Sequence, residues 1–153
     1  MSQETLTGSC LCGQISYEVT GESKKFYHCH CQRCRKASGT GHASNIMVKS
    51  ESLVWLSGED LLRRYNVPDA ERFYTHFCNN CGSPMPREIP EIGMKVIPAG
   101  SLDTKPSIQP GARIFWDSRS EWSCSGDAIT THSELHNRVQ KDVPVARLAK
   151  CQT

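Results

Sequence analysis

Seven of the nine cysteines fall into spacings that can bind a metal ion. Cys10-Leu11-Cys12-Gly13 and Cys78-Asn79-Asn80-Cys81-Gly82 each offer a pair of thiolates from a tight turn. A C-x-x-C-G turn is a knuckle. Its backbone N–H groups aim at sulfur, and the glycine takes a positive φ that a side chain resists. Two such pairs complete a tetrahedral site with zinc–sulfur bonds of about 2.3 Å. Thiolate donors select zinc, iron or copper(I) over magnesium or calcium. The expectation is one closed structural zinc held by Cys10, Cys12, Cys78 and Cys81. It would tie the N-terminal turn to strands in mid-chain and offset the entropy of closing that long loop. A redox pair Cys78/Cys81 is the other reading of the second turn.

His28-Cys29-His30-Cys31-Gln32-Arg33-Cys34-Arg35-Lys36 differs in kind. Cys29, Cys31 and Cys34 can wrap three sulfurs round one ion, and no fourth cysteine lies at useful spacing. Three protein ligands and an exchangeable position make the arrangement of catalytic zinc. The open position would take water, hydroxide or a substrate thiol, and coordination deprotonates a thiol. Arg33, Arg35 and Lys36 would favour thiolate and attract an anionic substrate. In an extended segment His28 and His30 share one side, opposite Cys29 and Cys31. That argues for a supporting role, including proton donation to an alkoxide. His42, His76 and Cys124 are more distant candidates. Cys151 is read as inert, and the pair His132 and His136 as chance.

These clusters need strand ends and turns to hold them. Gln14–Thr20 alternates apolar and polar residues, and Lys25–Cys29 reads as extended. His42–Val48, Leu53–Leu56, Met94–Ile97 and Arg113–Trp116 are further strands. Leu61–Asn66 and Glu71–Phe77 flank the turn Val67–Ala70 and read as a hairpin running into Cys78. Helix is scarce: one short turn over Gln32–Ser38 closed by Gly39, and a candidate over Asp127–Val139. The prediction is a mainly β chain of small antiparallel sheets, a single domain over 1–153 with its core at about 8–122 and an extension at 123–153.

The chain has 153 residues, the usual size of one domain. Its 18 basic and 16 acidic residues are dispersed, which gives no footprint for nucleic acid. No apolar stretch approaches the roughly 20 residues that span a bilayer. Met1–Thr7 lacks the features of a signal peptide. The expected setting is cytoplasmic and reducing, where cysteines serve metals rather than disulfides.

The motifs resemble the glutathione-dependent formaldehyde-activating enzyme family, also called centromere protein V-like. The resemblance runs from Gly8 to about Trp122. It rests on Gly8-Ser9-Cys10-Leu11-Cys12-Gly13, Cys29–Lys36 with Ser38-Gly39, and Phe77–Gly82. It continues through Ala99-Gly100-Ser101-Leu102-Asp103 and Ile114-Phe115-Trp116-Asp117-Ser118. Arg113 is a departure, standing where a histidine is common. The resemblance implies a β-tent fold around two zinc ions, structural at Cys10, Cys12, Cys78 and Cys81 and catalytic at Cys29, Cys31 and Cys34. It implies carbon–sulfur lyase chemistry, joining formaldehyde to the thiol of glutathione or reversing that step. The partner would be a small thiol such as glutathione, with no nucleic acid and no membrane. The rival readings are a non-catalytic zinc-stabilised interaction module and a thiol redox or metal-handling protein.

Overall fold

The computed structural model describes residues 2–123 and 129–133. Internal contacts divide the chain into two units, Met1–Arg119 and Ser120–Thr153. All the strands below belong to the first. Most of the helix expected over Asp127–Val139 lies outside the described residues, as do Cys124, His136 and Cys151. Ile129–Ser133 are not helical.

The first unit is mainly β, with one α-helix. Strand β1 (Glu4–Ser9) turns at the first cysteine pair and runs antiparallel to β2 (Ser16–Cys29). Helix α1 (Gln32–Ser38) follows at once, then β3 (Ala43–Ser57) returns along β2. The hairpin β4 (Leu62–Asn66) and β5 (Tyr74–Cys78) carries β6 (Pro84–Met85), forming a three-stranded sheet. Strands β7 (Arg87–Ile89) and β8 (Met94–Pro98) extend the larger sheet in the order β1-β2-β3-β8-β7. Finally β9 (Ala112–Ile114) pairs with the end of β2, in parallel.

Two pairs of expected strands prove to be single long ones. Gln14–Thr20 and Lys25–Cys29 join as β2; His42–Val48 and Leu53–Leu56 join as β3. The polar stretch Gly21–Lys24 resembles a turn, yet the ladder runs through it by shifting register between Thr20/Glu22 and Ser23/Lys25. Such bulges bend a strand without ending it. The bend lets one strand serve the core at its start and a cysteine cluster at its end. The strand expected over Arg113–Trp116 stops at Ile114. Phe115 takes a left-handed conformation at φ 54°, and Trp116–Ser118 form a 3-10 turn.

The core lies between the two sheets. Leu6, Ile15, Tyr17, Val19, Ile46, Val48, Met85 and Ile97 are buried and pack with Cys10 and Cys78. Strict alternation along β1 and β2 supplies Leu6, Tyr17 and Val19. Each such side chain contributes about 1.5–3 kcal/mol on burial. Tyr17, pushed up to about 12 by burial, hydrogen-bonds Ser101 Oγ at 2.6 Å. Two cysteines of the closed cluster are therefore part of the packed interior.

Candidate metal centres

The four-cysteine cluster forms where two turns meet. In the first, Cys10 N–H donates to Ile15 O at 3.0 Å and Gly13 N–H to Cys10 O at 2.9 Å. In the second, Gly82 N–H donates to Cys78 O at 2.8 Å and Cys78 N–H to Ser83 O at 3.0 Å. Gly13 and Gly82 stand at φ 76° and 73°, the left-handed region the knuckle reading requires. Ser83 couples the turns: its Oγ accepts from Leu11 N–H at 2.9 Å and lies 3.2 Å from Cys81 Sγ.

Sulfurs Cys10 and Cys12 are 3.4 Å apart, and Cys12 and Cys78 are 3.9 Å apart. Four sulfurs at about 2.3 Å round one ion stand about 3.8 Å from one another. The cluster thus has the span of a tetrahedral thiolate site. Ile15 N–H donates to Cys10 Sγ at 3.2 Å. Hydrogen bonds from Asn80 and the Gln14 backbone lower Cys12, and those from Ser83 hold Cys81 at about 5. The turns thus favour thiolate at Cys12 and Cys81, whereas at Cys78 the lowering by the Cys81 backbone is outweighed by burial and hydrogen bonding among the sulfurs, which leave it raised.

The three-cysteine cluster is assembled from one short stretch. Cys29 ends β2, Cys31 caps α1, and Cys34 lies in the first turn of α1. Cys31 is extended (φ −61°, ψ 152°) and its Sγ accepts from Cys34 N–H at 3.4 Å, so a ligand doubles as the N-cap. Gly39 closes the helix at φ 69°, its N–H on Arg35 O at 2.8 Å. The three Sγ atoms lie within 4.8 Å of one another. Cys29 and Cys34 are buried, while Cys31 is partly exposed. Hydrogen bonding from Cys34 leads the effects that hold Cys29 at about 6, and Cys34 itself is pushed up. Among the described residues no histidine, carboxylate or further cysteine joins this set.

The histidines lie on the other side, as alternation along the strand requires. His28 stacks on His42 with ring centroids 4.0 Å apart, and His30 sits 5.1 Å from His42 and 5.0 Å from Trp116. Burial, then neighbouring His42 and Arg113, push His28 down to about 4; burial also lowers His30 and His42. His30 is fully buried. Neither of its ring nitrogens makes a hydrogen bond of normal geometry, although the Gly41 backbone is near enough to oppose the downward shift. His76 is elsewhere, with Nδ1 2.9 Å from Pro86 O.

Two groups near the three-cysteine cluster were not assigned to it from the sequence. One is the rim Arg113–Arg119, brought in by β9: Cys29 pairs with Ile114, and His30 N–H donates to Ile114 O at 3.0 Å. Arg113 and Arg119 lie 5.4 and 4.4 Å from the centroid of the Trp116 ring. The other is Arg87 on β7, whose charge acts on both Cys29 and Cys34. Two of the expected cations bond to backbone carbonyls. Arg33 reaches Asp69 O at 3.3 Å and Arg35 reaches His30 O at 3.2 Å. No local motif marks Arg87, since only the pairing of β7 with β8 brings it into place.

The family model described as glutathione-dependent formaldehyde-activating enzyme matches residues 5–118. A crystal structure of a Rhodobacter sphaeroides protein is similar to this chain, with a TM-score of 0.54 and 19% identity over 70% of this chain and 98% of that one. That likeness is one of fold. No curated protein matches the chain. No helix among the described residues is long and apolar enough to cross a membrane.

Proposed function

Because the chain belongs to the glutathione-dependent formaldehyde-activating enzyme family, we propose that it is a zinc-dependent carbon–sulfur lyase acting on a thiol adduct of formaldehyde or a related aldehyde. The supporting observation is the unequal donor count: four sulfurs converge in one cluster and three in the other. Cys10, Cys12, Cys78 and Cys81 would hold a structural zinc, and Cys29, Cys31 and Cys34 a zinc with one open position. The donors fit that ion: all are soft sulfurs, and within each cluster they lie within 4.8 Å of one another. Zinc bound by three thiolates would lower the pKa of a thiol in the open position and keep it nucleophilic near neutral pH.

In the forward direction a thiol R–SH adds to the aldehyde carbon. A carbon–sulfur bond forms, the carbonyl π bond opens, and the proton lost from sulfur ends on the alkoxide oxygen. With glutathione and formaldehyde the product is S-hydroxymethylglutathione. The chain's own side chains orient these parts. Partly exposed Cys31 marks the side open to ligand. The guanidinium groups of Arg113 and Arg119 lie beside Trp116 on the histidine face, where they would meet the carboxylates of a peptide-like thiol that reaches to that face. His28 and His30 are held neutral near pH 7, so neither serves as an imidazolium acid. Half-buried His28 can pass a proton only as a neutral N–H donor, and His30 is sealed from direct contact.

The test is two-dimensional exchange NMR on glutathione and formaldehyde at equilibrium. The wild-type protein is expected to accelerate exchange between free formaldehyde and S-hydroxymethylglutathione. Cys31→Ser is expected to remove that acceleration while keeping the fold. Equal exchange with and without protein at two zinc per chain would eliminate this reading.

A further inference from the structure

Phe115 combines two properties that no other described residue joins. It is 63% exposed, and it is the one described non-glycine residue with a positive φ, 54°. Leu11, Val54 and Leu56 are exposed too, but in backbone free of that strain. Single apolar side chains at a surface are ordinary, whereas a bulky residue in the left-handed region is not. The kink itself has a visible effect. Arg113 pairs with His28 and Ile114 with Cys29, so β9 alternates between the histidine face and the sulfur face. Continued alternation would carry residue 116 to the sulfur face. Trp116 instead lies 5.0 Å from His30 and 5.4 Å from Arg113. The left-handed turn at Phe115 therefore swings Trp116 onto the histidine face. Glycine would make the same turn without strain. The kink accounts for the conformation of residue 115 but not for the phenyl ring it carries.

The place of that ring in the fold supplies a reason. The β2–β9 ladder ends at Cys29–Ile114, and His30 N–H donates to Ile114 O at 3.0 Å. Phe115 is the next residue along, beside the segment that carries Cys29 and Cys31. Cys31 is the partly exposed sulfur of the three, the other two being buried. The turn is fixed by its own hydrogen bonds. Ser118 N–H donates to Phe115 O and Arg119 N–H to Trp116 O, each at 3.1 Å, and Arg119 Nη1 reaches Trp116 O at 3.0 Å. Strained residues that surrounding structure holds in place cluster at active sites and ligand clamps. We propose that Phe115 is a specificity-determining residue of the three-cysteine centre, its ring forming the apolar wall that a ligand in the open position meets. It would select thiols and thiol adducts with an apolar group on the carbon bonded to sulfur, as in the adduct of an alkyl or aryl aldehyde. This inference rests on the open-centre reading given above and adds the class of ligand.

The experiment uses full-length protein with zinc in the four-cysteine site and cobalt(II) exchanged into the three-cysteine site. Visible spectra follow titrations with phenylmethanethiol and 2-mercaptoethanol, thiols of similar acidity that differ in the group beside sulfur. Phe115→Gly is the informative variant, because it deletes the ring yet keeps the turn. It is expected to bind phenylmethanethiol about 3- to 10-fold more weakly, the worth of one aromatic pair, and 2-mercaptoethanol within about 2-fold of wild type. Its Tm is expected to equal or exceed that of wild type. Weaker binding in a protein no less stable is a pattern that a merely structural ring would not give. Unchanged phenylmethanethiol affinity, or equal weakening of both thiols, overturns the proposal. If Phe115→Gly does not fold, Phe115→Asn carries the same test, since asparagine tolerates the left-handed region. A wild-type cobalt protein whose spectrum responds to neither thiol would instead remove the open-centre reading, and this inference with it.

Discussion

The two cysteine clusters share a ligand type and a C-x-C turn, but they are built in opposite ways. One draws Cys10 and Cys12 from one turn and Cys78 and Cys81 from another, 66 residues separating Cys12 from Cys78. The other takes all three sulfurs from the end of β2 and the start of α1. The first closes a long loop and has Cys10 and Cys78 inside the hydrophobic core. The second closes almost no loop and leaves Cys31 partly exposed. On the proposed reading, metal binding at the first would be coupled to folding, and at the second to ligand exchange. The difference teaches that donor count and loop length together distinguish two clusters of chemically identical residues.

The largest effect should come from the closed cluster. Cys78→Ser is expected to abolish a cooperative thermal transition, since it removes a buried ligand and with it a binding energy of roughly 10 kcal/mol or more. Circular dichroism melting checks this. A folded Cys78→Ser protein of near wild-type Tm would erase the contrast between the clusters.

Cys31→Ser should lose the labile metal and all thiol binding yet shift Tm little. Serine replaces cysteine as N-cap and caps well; Cys31→Ala, lacking a cap, should be less stable than Cys31→Ser by about 1 kcal/mol. Metal analysis after chelator treatment is expected to find one zinc retained in each variant, the one at the closed cluster. Loss of both ions at once would join two centres that the geometry separates.

Phe115 bears on the reactive side. It is the one non-glycine residue with positive φ among those described, and it is 63% exposed. Its strain has no packing reward, so Phe115→Gly should stabilise the protein by about 1 kcal/mol. A fall in Tm would mean that its exposed ring makes contacts worth more than the strain.

The smallest effect lies far from both clusters. Glu4 is raised by burial, but hydrogen bonds from Ser23 and the Ser107 backbone outweigh that and leave it lowered. A carboxylate depressed in the folded state contributes stability above its unfolded pKa, and loses it as pH falls through the folded value. Glu4→Gln should therefore cost about 1 kcal/mol at pH 7 and nothing near pH 2, where the side chain at position 4 is neutral in both proteins. Chemical denaturation at the two pH values reads this. An equal cost at both would assign the stability to packing.

Much of this was legible in the sequence because it is local. The cysteine spacings, the glycines at 13, 39 and 82, and helix Gln32–Ser38 all depend on a few adjacent residues. The alternation that separates His28 and His30 from the sulfurs is equally local. What escaped depends on pairing between distant segments. Gly21–Lys24 resembles a turn until β3 is laid beside it. Arg87 has no motif, and only the β7–β8 ladder carries it inward. The carbonyls that the basic run meets were equally hidden: Arg33 reaches Asp69 O in the hairpin turn, and Arg35 reaches His30 O between Cys29 and Cys31.

The central claim is one saturated and one unsaturated centre, and zinc X-ray absorption counts their ligands. With two zinc per chain the average should be about 3.5 sulfurs per ion, four at one cluster and three at the other, with a light atom making up the difference. Adding a small thiol should raise the average to about 4. An average that already stands at four sulfurs, or that does not respond to thiol, would contradict the account.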